Sequence, residues 1–155
     1  MEGTQHQTDM IETAAAFVNS TGAHIFLTGK AGTGKTTFLR SLGERTHKRF
    51  AIVAPTGIAA LNAGGATIHS MFQLPLGTFL PDRTPSGQFT SDANIYTQFT
   101  LSRKHPISSL KKQVLRSIDL LIIDEVSMLR SDVLDAIDYR MRSVRGNFSK
   151  AFGGV

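Results

Sequence analysis

Gly29-Lys30-Ala31-Gly32-Thr33-Gly34-Lys35-Thr36 fits the pattern G-x-x-x-x-G-K-[ST], and its flanks decide how it is read. On the N-terminal side His24-Ile25-Phe26-Leu27-Thr28 is β-branched and aromatic, which predicts a strand. On the C-terminal side Thr37-Phe38-Leu39-Arg40-Ser41-Leu42 has the apolar spacing of a helix. Strand, glycine loop and helix in that order make a phosphate cradle. The glycines let successive backbone N–H groups turn inward toward phosphate oxygens, and the helix N-terminus adds partial positive charge. Gly29, Ala31, Gly32, Thr33, Gly34, Lys35, Thr36 and Thr37 are therefore the candidate residues for binding a nucleotide, ATP. Lys35 is placed to reach its β- and γ-phosphates, a catalytic as well as a binding role, and Thr36 to hold Mg²⁺ through its hydroxyl.

A second stretch further along answers the first. Leu120-Leu121-Ile122-Ile123 is an apolar run that ends in Asp124-Glu125. A buried strand ending in Asp presents the carboxylate at the carboxyl edge of a parallel sheet, where open α/β folds bind their ligands. Asp124 is the candidate second ligand of Mg²⁺, and Glu125 the candidate general base that polarises a water for attack on the γ-phosphate. Phe50-Ala51-Ile52-Val53-Ala54, closed by Pro55-Thr56-Gly57, reads as a third strand buried on both faces, with the intervening helix, running to about Lys48 and weakened by Gly43, as its crossover. The expected fold is α/β, a parallel sheet flanked by helices.

The rest of the chain supplies helices and one irregular segment. Met10, Ile11, Ala14, Ala15, Phe17 and Val18 make one apolar helical face, capped by Thr8 or Asp9 and preceded by a frayed polar stretch over 1–7. Ile58–Asn62 predicts a short helix and Ala66–Phe72 another. Ser108–Ser117 predicts a helix with Leu110, Val114 and Leu115 inward and Lys111, Lys112 and Arg116 outward. Asp132, Val133, Leu134, Ile137 and Met141 predict a last helix, to about Arg145, after which the chain runs to Val155 without a closing element. Between Pro75 and about His105 periodicity fails, which predicts a loop or small insertion within a single domain spanning 1–155. Its aromatics, Phe79, Phe89, Tyr96 and Phe99, lie close to Arg83, Arg103, Lys104 and His105. Two readings stand side by side: stacking on single-stranded bases, or a β-hairpin whose aromatics cover the core and whose cations are solvated.

The 155 residues, 41% of them hydrophobic, suffice for one domain with a real core and fall short of two. The net charge of +5 and pI near 9.9 favour a polyanionic partner without naming one. With no cysteine, disulfides and thiolate metal sites are excluded. No basic, apolar leader opens the chain and no apolar run reaches membrane-spanning length, so an intracellular, cytoplasmic protein with no membrane partner is expected.

Taken together, Phe26–Thr37, Ala54-Pro55-Thr56-Gly57-Ile58-Ala59-Ala60, Thr67-Ile68-His69-Ser70 and Ile122-Ile123-Asp124-Glu125-Val126-Ser127-Met128 resemble one family over nearly the whole chain. It is the petite-integration-frequency (Pif-type) helicases, relatives of RecD that move 5′ to 3′ on single-stranded DNA at the expense of ATP. The resemblance implies a RecA-like P-loop NTPase fold, with residues 1–155 as the N-terminal part of helicase domain 1A. It makes Gly29–Thr37 motif I, Pro55–Ala60 with Thr67–Ser70 motif Ia and its extension, and Asp124–Ser127 motif II. It implies that Thr56, Gly57 and His69 contact a DNA strand; without it, His69 reads as a helix-cap or core histidine. Leu134–Arg145, ahead of Phe152-Gly153-Gly154, resembles the family's signature region.

The chain departs from the family twice. The adenine-reading glutamine falls near Glu12, with Gln7 and Gln5 upstream. Val155 comes just short of motif III, whose strand lies between the phosphate-loop and motif II strands, so the sheet is expected to be incomplete and prone to self-association. Without the second domain's arginines, ATP turnover is expected far below a complete motor's, arginine fingers being worth about 10³–10⁵ in rate. A non-catalytic nucleotide- or DNA-binding fragment, and a P-loop ATPase without unwinding activity, are the alternatives.

Overall fold

A computed structural model describes residues 2–84 and 94–155, with side chains from Met10 onward. Its centre is a three-stranded parallel sheet ordered β2 (Ala66–Thr67), β1 (Phe50–Ala54), β5 (Leu120–Ile123). Phe50 pairs with Leu120 and Val53 with Ile123, so the carboxyl ends of β1 and β5 lie level. Alternation of side chains then gives each face its own core. Ile52 and Ile122 point to one side, where they pack with Phe38 and Leu42 of α2 (Lys35–Arg45) and Ala15 and Val18 of α1 (Glu2–Ser20). Val53, with Ala51, Leu121 and Ile123, faces the larger cluster on the other side. That cluster draws on α4 (Ile68–Phe72), α5 (Gln98–Lys104), α6 (Ser109–Ser117) and α7 (Ser131–Arg145). The α/β class with a parallel sheet between helices is as expected.

The sheet has three strands, as the sequence predicts, but not the same three: His24–Thr28 is not a strand. Among the described residues it has no ladder partner, and β5 pairs with β1 alone, leaving its other edge open. An extended segment without a neighbour has nowhere to place its N–H and C=O groups except water. Its apolar residues are accordingly out in solvent: Ile25 is 45% exposed, Phe26 76% and Leu27 41%. Conversely, Ala66-Thr67 is a strand pairing with Val53 and Ala54, and only Ile68–Phe72 of the expected helix is helical.

Several local readings shift. The first helix begins at Glu2, so residues 2–7 are helical and Thr8 and Asp9 lie inside it and not at its cap. No proline interrupts that stretch. The crossover helix stops at Arg45, where Thr46 turns extended. Gly43 serves packing there, since a Cβ on it would come 2.8 Å from the ring of Phe50. In α6 only Leu115 is buried; Leu110 is 72% and Val114 38% exposed, because Lys111 on that helix turns to the Ser70 carbonyl and the face toward α7 is the one that packs.

The segment after Pro75 is not a hairpin. β3 (Thr78–Leu80) and β4 (Ile95–Thr97) pair in parallel, where a hairpin would pair them antiparallel. Phe79 and Tyr96 are buried, their rings 5.5 Å apart, and Phe79 also meets Tyr139 of α7 at 6.3 Å. Phe99 is partly exposed, and Phe89 lies outside the described residues. The end of the chain is docked: Ala151–Gly154 forms a 3₁₀ turn against α7, where Asp138 accepts from the Phe152 N–H at 2.6 Å and Arg145 donates to Gly153 O.

Candidate functional site

α2 runs back along the sheet before β1 begins. Its 11 residues span about 16 Å. The five of β1 span nearly as much. Lys35 stands at the start of α2, the helix that Phe38 and Leu42 pack against the sheet. The loop that precedes it has the backbone of a phosphate cradle: Gly32 (φ 75°) and Gly34 (φ 83°) are left-handed, a conformation that side chains with a Cβ adopt only with strain. Gly34 stands at the N-cap of α2 with no side chain to occupy the first N–H groups, which leaves them for an anion. A Cβ on Gly29 would come 2.9 Å from Thr33 Oγ1, so the loop closes tightly there. Thr33 Oγ1 donates to Lys30 O at 2.7 Å, and Lys35 Nζ donates to Gly29 O at 2.7 Å and to Lys30 O at 2.8 Å. The ammonium thus lies inside the loop's curve, held by carbonyls that a phosphate's stronger charge-assisted bonds would replace. Thr36 is half-buried, and Ala31 and Thr37 are exposed.

Asp124 and Glu125 stand at the end of β5. The Asp124 N–H donates to Val53 O at 2.9 Å, extending the ladder by one residue, and its half-buried carboxylate accepts from the Glu125 N–H at 2.8 Å. Glu125 is exposed and left-handed (φ 52°, ψ 42°), an uncommon conformation for a residue with a Cβ and one that collects at functional sites. Thr36 and Asp124 offer hard oxygen donors, the chemistry that suits Mg²⁺. Among the described residues no group of three or more His, Asp or Glu gathers as a metal centre.

The expected strand-contact residues share the same edge. Thr56 caps α3 (Gly57–Ala63), accepting from the Ala59 N–H at 3.3 Å, and Gly57 opens that helix with no atom within 4 Å of its Cβ position. His69 lies half-buried in α4, whose cap, Thr67, accepts from the Ser70 N–H at 3.2 Å. Both helices start where a strand of the sheet ends. Glu12 is exposed on α1, and the side chains of Gln5 and Gln7 lie outside the described residues.

Sequence reasoning missed the polar ties between α7 and the segment after Pro75. Arg140 is buried, yet it donates to Leu101 O at 3.1 Å, Gln73 O at 2.9 Å and His105 O at 2.5 Å, and burial lowers its pKa to about 10. Arg130 and Asp132 grip β3 from the start of α7. Burial, with Asp132 nearby, pushes the Tyr96 hydroxyl up to about 12, so it stays protonated at neutral pH. No helix among the described residues is long and apolar enough to cross a membrane.

Comparison with known proteins gives this geometry a family. The family model described as PIF1-like helicase matches residues 3–155. The ATP-dependent DNA helicase PIF1 of Saccharomyces cerevisiae is 37% identical over 86% of this chain and 14% of its own length. The Pif1 helicase of a Psychrobacter species is 34% identical over 94% of this chain and 20% of its own. Among solved structures, Bacteroides Pif1 bound to single-stranded DNA is 39% identical with a TM-score of 0.74, over 96% of this chain and 30% of that one. Its complex with ADP-AlF4 is 39% identical with a TM-score of 0.75, over 94% and 29%. The chain thus spans less than a third of the length of these relatives. With a matched model over almost all its residues and relatives above 30% identity, the chain belongs to the PIF1-like helicase family.

Proposed function

We propose that this chain is the ATP-binding N-terminal portion of a 5′-to-3′ DNA helicase, in which ATP hydrolysis drives movement on single-stranded DNA. The observation that carries the reading is the glycine loop with Lys35 Nζ folded into its curve, on a chain whose strand β5 runs into Asp124 and Glu125. The N–H groups of Gly32 to Thr36 and the Lys35 ammonium bind the phosphates; Thr36 and Asp124 hold Mg²⁺, which supplies neutralisation of phosphate charge when bound. Glu125 takes a proton from the attacking water. Thr56, Gly57 and His69, at the helix starts beyond β1 and β2, contact the DNA backbone.

A second reading has its own support. The exposed, unpaired Ile25–Leu27 segment leads directly into the cradle, so the loop is anchored from one side only. That favours a chain that binds nucleotide while turning it over slowly, and one that associates through its apolar segment and the open edge of β5. The test is ATP hydrolysis with and without oligothymidylate, beside Glu125→Gln. Turnover that oligothymidylate raises and Glu125→Gln abolishes supports the motor reading; bound nucleotide with no turnover under either condition supports the second.

A further inference from the structure

Five positions after Glu125 the chain reaches Arg130, and the stretch between is short and tied: a 3₁₀ turn, Val126–Met128, in which the Met128 N–H donates to Glu125 O and the Leu129 N–H to Val126 O, both at 3.0 Å, with Leu129 packed against the large core. Its upstream end is the strained backbone of Glu125. Its downstream end is fixed differently. Arg130 Nε and Nη2 donate to the two oxygens of Asp132 at 2.9 and 2.8 Å, a fork that locks both side chains together. The pair then reaches out of its own helix. Arg130 Nη2 donates to Thr78 Oγ1 at 3.0 Å, and Asp132 Oδ2 accepts from the Phe79 N–H at 3.0 Å. Asp132 in the first turn of α7 would ordinarily cap N–H groups of its own helix, but here it takes the outer N–H of β3. Phe79 in turn is a wholly buried part of the large core, paired with Tyr96 of β4.

We infer that Arg130 and Asp132 are positioning residues that couple the nucleotide site to β3. A rotation at Glu125 carries the Arg130–Asp132 fork with it, and the fork cannot move without moving Thr78 and Phe79 or breaking both bonds to them. Nucleotide that relaxes or deepens the strain at Glu125 therefore shifts the balance of β3 between held and released. The inference rests on the nucleotide reading of Asp124 and Glu125.

Hydrogen exchange of the whole chain, read on peptides covering Thr78–Leu80, tests it with ADP, aluminium fluoride and Mg²⁺ as the probe. In the native chain saturation with the probe changes exchange at Phe79 by about fivefold or more. In Asp132→Ala exchange there is fast and indifferent to the probe, and Asp132→Asn, which keeps an acceptor for the Phe79 N–H, restores part of the response. If Asp132→Ala loses its circular dichroism, Arg130→Ala carries the test, its side chain being 58% exposed and outside the core. A saturating probe that leaves Phe79 unchanged in the native chain, or changes it equally in the variants, overturns the coupling. A probe that never saturates overturns the nucleotide reading and the coupling with it, a failure seen in the binding signal and not at Phe79.

Discussion

Arg140 follows Val133 and Ile137 and precedes Val144 at steps of four, three and four, the spacing of an inward helical face. The pattern therefore placed position 140 in the core, and only the habit of sending arginine to solvent hid it. The structure reconciles the two: the guanidinium is buried but every bond it makes goes to a backbone carbonyl, with no carboxylate partner. Arg140→Leu keeps the apolar stem and leaves three carbonyls without a donor, each worth about 1–3 kcal/mol if dry. The expected cost is about 2–4 kcal/mol, or roughly 5–15 °C in melting temperature for a chain of this size, read by thermal denaturation. An unchanged melting point would mean that those carbonyls find water instead. At the catalytic edge the residue types were legible from the motifs, but the left-handed backbone of Glu125 was not, since no glycine announces it. Glu125→Gln keeps the shape and removes the proposed base, so nucleotide affinity should hold while hydrolysis falls by roughly 10²–10⁴. Quenched-flow measurement of a single turnover separates the two quantities.

Helices with strong periodicity were legible because each buries its own stripe: α1, α2 and α7 stand near where their apolar residues put them. Strands were less so, because a strand is decided by its neighbour. His24–Thr28 has strand composition and no partner, and Ala66-Thr67 has a partner and almost no length. The same dependence explains β3 and β4. Their burial comes from α7, a contact across more than fifty residues that local pattern does not carry. The exposed 25–27 segment makes a prediction at this scale. A 76%-exposed phenylalanine beside two half-exposed aliphatics, near an unpaired strand composition, promotes contact between chains. Sedimentation should show association rising with concentration in the native chain and reduced in Phe26→Lys, with circular dichroism unchanged. Equal association in both would place the contact elsewhere.

For the molecule as a whole, the order of elements brings the α3 and α4 helix starts and Asp124-Glu125 to one edge of the sheet, although more than fifty residues separate His69 from Asp124. Parallel pairing does this by itself: every strand delivers its last residue to the same side, and every crossover helix starts there. The pairing of β1 with β5 was legible from two apolar runs, Phe50–Ala54 and Leu120–Ile123. The ties between α7 and the segment after Pro75, made by Arg140, Arg130 and Asp132, were not, because single side chains reaching backbone groups and one hydroxyl leave no periodicity. The central claim is that the glycine loop is a working nucleotide cradle. It is tested most directly by titrating the chain with a fluorescent ATP analogue and Mg²⁺ beside Lys35→Ala, both shown folded by circular dichroism. The account predicts saturable binding to the native chain, weakened roughly 100-fold or lost in Lys35→Ala, as removal of a charged phosphate contact requires. Equal binding by both proteins, or none by a folded native chain, would contradict it.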